Sequence, residues 1–136
     1  MKRNLLIAAA LALFGTMAAS AQTVNVKASV PFDFTVNRAT LPAGEYSLKS
    51  MDEQGAAIAI RDLNSKTTNL VISSSCRSSK SASQTKLVFH RYGNRYFLSQ
   101  IWTAGDEAGR ALPAGAGEKE IARNVSMQEV VLVAKN

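Results

Sequence analysis

From Val24 to Val36 every even position is apolar: Val24, Val26, Ala28, Val30, Phe32, Phe34 and Val36. The positions between them hold Asn25, Lys27, Ser29, Pro31, Asp33 and Thr35. Strand side chains alternate between two faces, so this segment presents one apolar and one polar face. The alternation runs straight through Pro31. Proline lacks an N–H, so it marks an edge position or a bend between two shorter strands that keep one register.

The rest of the chain is punctuated in the same way. Leu41-Pro42-Ala43-Gly44 fits a type I turn, and Tyr46 and Leu48 then alternate with Glu45, Ser47 and Lys49. After a break at Gln54-Gly55, Ile58 and Ile60 form a short strand, and Leu70 to Ile72 form another. Ser73 to Ser83 is rich in serine, with Arg77 and Lys80, and reads as a mobile loop or a polar edge. Gly105 to Gly117 reads as a loop, and Glu118 to Arg123 as a short helix with acids in its first turn. This helix has little apolar face and is expected to cap a barrel end or cover a sheet edge. Asn124-Val125-Ser126 matches the glycosylation triplet, which is common by chance. Met127 to Val133 closes the chain, and within it Val130 to Val133 is an unbroken apolar run, as expected of a strand buried on both faces.

Lys86 to Trp102 is the densest aromatic segment. Gly93-Asn94 between its two runs suits a two-residue type II′ hairpin turn. That turn pairs Tyr92 with Arg95, Arg91 with Tyr96, His90 with Phe97 and Phe89 with Leu98. One face then carries Leu87, Phe89, Arg91, Tyr96, Leu98, Gln100 and Trp102. The other carries Val88, His90, Tyr92, Arg95, Phe97, Ser99 and Ile101. Both faces are substantially apolar, whereas a hairpin with one wet face alternates more cleanly. The second face is therefore either covered by another element or lines a cavity, and in the latter case His90, Tyr92, Arg95 and Phe97 are the candidate ligand-binding residues.

These readings give an all-β, mainly antiparallel domain of about seven to nine short strands with one short C-terminal helix. It is either a small barrel or a two-sheet sandwich. Several strands are too short for a membrane barrel, whose strands need about 9–11 residues.

The N-terminus carries an address. Lys2 and Arg3 precede an apolar stretch from Leu5 to Ala19, and Ala19-Ser20-Ala21 is a small-x-small cleavage site. That is the grammar of a cleaved secretory signal peptide over residues 1–21, cut between Ala21 and Gln22. Residues 22–136 are then a single exported domain, periplasmic or secreted, with no transmembrane segment. The leader holds two of the 16 basic residues, so the mature chain has 14 against 10 acidic ones and a net charge of +4 rather than +6. Such a charge favours solubility and does not point to nucleic acid.

No catalytic constellation stands out. His90 is the single histidine and Cys76 the single cysteine. One histidine makes no histidine-rich metal site, no nucleophile elbow is present, and no cofactor is implied. An unpaired cysteine in an exported chain is an inert buried thiol, an intermolecular bridge or a reactive site. Val30-Pro31-Phe32-Asp33-Phe34-Thr35-Val36, followed by Leu41-Pro42-Ala43-Gly44-Glu45-Tyr46, resembles the opening of a family of small exported bacterial β proteins. The run LVFHRYGNRYFLSQIW, Leu87 to Trp102, resembles that family's central segment. The family has no assigned activity, so the resemblance implies an exported β domain and carries over no site. The expected function is non-enzymatic, a binding or structural role in the cell envelope with an envelope component as partner. Two alternatives stand beside it: a carrier of a small apolar or aromatic ligand, and an enzyme using His90 or Cys76.

Overall fold

A computed structural model describes residues 23–135. The leader and the proposed cut between Ala21 and Gln22 lie outside the described residues. Within them the chain forms a two-sheet β-sandwich, not a closed barrel. The first sheet orders four strands as β1 (Asn25–Val30), β4 (Gly44–Ser50), β5 (Ala57–Asp62) and β6 (Thr68–Ile72). The second orders β11 (Gln128–Val133), β8 (Lys86–Tyr92), β9 (Arg95–Trp102), β10 (Ala108–Ala111) and β7 (Ser74–Arg77). Two short strands, β2 (Phe34–Val36) and β3 (Ala39–Leu41), pair with each other, and Thr35 of β2 pairs in parallel with Phe97. The count exceeds the seven to nine read from sequence because β2, β3, β7 and β10 are only three or four residues long.

The alternation at the N-terminus builds both sheets. Val26, Ala28 and Val30 are buried in β1, and Phe34 and Val36 in β2. The bend at Pro31 carries the chain from one sheet to the other without changing which side faces the core. A second crossing follows β6. There the buried Arg110 donates from Nε to Ser73 Oγ at 2.9 Å and from Nη2 to the Ser73 carbonyl at 2.8 Å. Ser73 in turn donates its N–H to the Ala56 carbonyl at 2.7 Å. A guanidinium stays charged, and here neutral oxygens receive it. On the far side of the sandwich, Lys27 and Lys135 exchange main-chain hydrogen bonds at 2.7 and 2.9 Å, joining β1 to the segment after β11.

The hairpin follows its turn and then departs from simple pairing. Gly93 has φ 63° while Asn94 is not among the positive-φ residues, as a type II′ turn requires. Pairing holds from Tyr92–Arg95 to Phe89–Leu98, after which the register shifts between Val88 and Phe89. Ser99 is the extra residue of a β-bulge. The shift places Ile101 opposite Leu87, in the core, and turns Trp102 to the outer side opposite Lys86. The sequence-based faces were therefore exchanged at Ile101 and Trp102, because a bulge adds one residue that periodicity does not reveal. Trp102 packs over Gly109 so closely that a Cβ there would lie 2.7 Å from its ring.

Three other expectations are corrected. Gly105 to Gly117 is not wholly a loop, since β10 lies within it and pairs with Ser74–Arg77, which makes the start of the serine-rich stretch a polar edge strand, one of its two readings. The helix α1 (Ala116–Ile121) starts two residues early and lies over the outer face of the hairpin instead of a sheet edge. β11 is an edge strand rather than one buried on both faces. Val130 and Leu132 pack on the core, while Val131 and Val133 are 51% and 59% exposed.

Aromatic rings tie the layers together. Phe89, fully buried on β8, meets Phe32 edge-on at 5.0 Å and Phe34 at 5.6 Å. Phe34 meets Tyr46 of β4 at 5.0 Å, and Phe32 stacks on Tyr96 at 3.8 Å. Such pairs add about 0.5–1.5 kcal/mol each beyond area burial. Phe89→Ala is expected to lower unfolding free energy by about 3–5 kcal/mol, measured by urea denaturation. Gly109→Ala, which must displace Trp102 or the Ile101 carbonyl, is expected to cost about 1–3 kcal/mol and to change Trp102 fluorescence.

Candidate functional site

The hairpin face singled out from sequence does bring its four residues together. His90 and Tyr92 stand two apart on β8, opposite Phe97 and Arg95 on β9. Tyr92 and Phe97 meet edge to face at 5.7 Å, and the Arg95 guanidinium carbon lies 5.2 Å from the Phe97 ring centre. Tyr92 and Phe97 are each only 5% exposed.

What covers them is α1. Its Glu118 is buried and lowers a carboxylate onto the face. Glu118 Oε2 lies 2.8 Å from His90 Nδ1 and accepts the Tyr92 hydroxyl at 2.9 Å. Two donors on one carboxylate oxygen hold a helix of only six residues, too short to persist by its own backbone bonds. Burial, and then the hydrogen bond and charge of Glu118, push the Tyr92 hydroxyl up to about 12. It is a held proton, poor as an acid at neutral pH.

Glu118 is the residue sequence reasoning missed. Its position in the first turn reads as a partner of the helix dipole, a role that needs no tertiary contact. A signal existed, since α1 lacks an apolar stripe while the uncovered face carried two polar donors in an apolar setting.

The cluster does not extend to a nucleophile. Cys76 pairs with Gly109 on β7, three strands from β8, or about 14 Å at ordinary strand spacing. It is partly buried, and that burial pushes its thiol up, away from the reactive thiolate. Among the described residues, no three of the His, Cys, Asp and Glu side chains gather as a metal-holding group, and no helix is long and apolar enough to cross a membrane. Beside α1 an open cleft of about 180 Å³ is lined by Thr35, Asn37, Leu70, Phe97, Pro113 and Glu118, among others. On the helix's other flank Arg95 borders a shallow depression with Gly117, Glu120 and Asn124.

No family model, no curated protein and no solved structure matches this chain.

Glu118→Ala is expected to cost about 1.5–3 kcal/mol, since it removes two hydrogen bonds to a charged group and leaves the buried Tyr92 hydroxyl unsatisfied. Hydrogen exchange at α1 should rise with it. Alkaline titration gives a second check. Burial, with Asp62 and Asp33 nearby, also raises Tyr46 to about 12. A group with a raised folded pKa stabilises the fold below its unfolded value, near 10 for tyrosine, and that stabilisation is lost as pH climbs towards 12. Stability should therefore fall between about pH 10 and 12, with less of a fall in Tyr92→Phe, measured by denaturation midpoint against pH.

Proposed function

We propose that this chain is an exported, non-enzymatic β domain of the cell envelope, acting by binding or as a structural component. The observation that carries this reading is how the polar groups of the hairpin face are used. His90 and Tyr92 both bond to Glu118, and Glu118 belongs to the helix that covers them. Groups that could have served an active site instead hold a structural element in place. The leader grammar of residues 1–21 supports export, and the resemblance to small exported β proteins points the same way.

The carrier reading requires an enclosed cavity behind the second face of the hairpin. Ligand sites of that kind run to about 300–1,000 Å³ and bury most of the ligand. The neighbouring cleft is open and about 180 Å³, and α1 occupies the face itself. The geometry favours a protein that works through its outer surfaces.

Native mass spectrometry of the protein purified from its own envelope tests this. A co-purified protein is the expected outcome, whereas a stoichiometric small molecule would favour the carrier. The same sample should begin at Gln22, and an exported protein that retains Met1 overturns the cleavage assignment.

A further inference from the structure

The edges of the two sheets are guarded unequally. β1 and the segment after β11 bond to each other through Lys27 and Lys135. β3 is three residues long with Arg38 beside it, and β7 is four residues long and ends on Arg77. Among the described residues, β6 closes the first sheet with no strand paired to its outer edge. From Thr67 to Cys76 the chain carries no charge and no proline. Edge strands are ordinarily blunted by charge, proline, bulges or a covering segment.

The register identifies the main-chain groups left over. The Asp62 N–H bonds the Thr67 carbonyl, and the Ser73 N–H bonds the Ala56 carbonyl. Bonded pairs alternate along an antiparallel ladder, so Asn69 and Val71 also point towards β5. Thr68, Leu70 and Ile72 therefore aim their N–H and C=O groups away from it. The side chains of Leu70 and Ile72 are 62% and 66% exposed, while Val71 between them is in the core. Ile72 lies beside Ala57, which Met51 adjoins on its other side, and Leu70 lies beside Ala59. Apolar surface thus continues inward from the edge, and the space beside Leu70 and Ile72 is the open cleft already described.

We propose that a second copy of this chain pairs antiparallel along β6, with the two-fold axis passing through Leu70. That register sets Leu70 against Leu70 and Thr68 against Ile72 of the second copy. Each free residue then meets another free residue, and six main-chain hydrogen bonds form. The charges permit it. Lys66 comes to lie opposite Ser74, and Arg61, one strand back from Thr68, shares its row with Ala57 of the second copy. The two Lys49 side chains end five strand spacings apart, about 24 Å, well beyond the screening length of about 8 Å in physiological salt. β6 offers a foreign partner no charge to recognise, whereas its own sequence supplies the matching main chain and the matching apolar stripe. Five residues of edge bury less than the roughly 800 Å² per partner of a standard interface, so the pairing is concentration-dependent.

Sedimentation of the purified protein over a concentration series should show the mass doubling. Leu70→Lys sets like charges against each other on the axis and should keep the protein monomeric throughout, with an unchanged far-ultraviolet circular dichroism spectrum because the side chain is exposed. Leu70→Cys in a Cys76→Ser background should form a disulfide-linked dimer on mild oxidation. Thr68→Cys in the same background should not, since its two copies lie four residues apart along the strands. The proposal is overturned by a wild-type protein that stays monomeric at every concentration. Equal cross-linking at both positions, or a different protein found bound along β6 in place of a second copy, also overturns it.

Discussion

Everything in this molecule depends on keeping two sheets face to face, and the ring of Phe89 is where that constraint is met. Two short-stranded sheets have little stability apart, because each buries one face only by packing on the other. Phe89 sits at the crossing point, with Phe32 and Phe34 edge-on against it. Through Phe34 the contact reaches Tyr46 of the opposite sheet, and through Phe32 it reaches Tyr96 and the Arg91 guanidinium above that ring. The residues flanking Pro31 thus do more than cross between sheets. They carry the aromatic groups that hold the sheets at a fixed separation.

The outer side of the hairpin is held by different physics. The core is apolar and close-packed, and its attraction is non-directional. Over the hairpin, a short helix with no apolar stripe is fixed by one carboxylate and two directed hydrogen bonds. Directed bonds specify where α1 sits more sharply than they stabilise it, since a net bond contributes only about 1 kcal/mol in water. The same bonds engage His90 and Tyr92, two of the polar side chains of that face. Towards the other end of that face, Trp102 lies against Gly109, where the missing side chain lets an indole approach the backbone.

How much of this was legible in the sequence follows from the range of each interaction. The β1 and β2 faces and the Gly93 turn are local patterns, and they stand in the structure as the residues require. Pairing was readable from the turn as far as Leu98, because a two-residue loop fixes the first few partners. It failed at Ser99, the extra residue of the bulge, which side-chain periodicity does not reveal. β7 was legible only as a loop or a polar edge, and β10 escaped notice, because serine, glycine and alanine carry little strand propensity. They pair beside the corner between the sheets, where Arg110 bonds to Ser73. The His90, Tyr92, Arg95 and Phe97 face was found from alternation alone, whereas Glu118 lies 26 residues beyond Tyr92 and is joined to it by tertiary structure.

The bridge between Lys27 and Lys135 has a kinetic consequence. It joins β1 to a residue 108 positions further along the chain, so the seam on that side cannot close until both ends of the described domain are in place. Contacts of such long sequence separation put the domain among the slower-folding β topologies, on a scale of milliseconds to seconds.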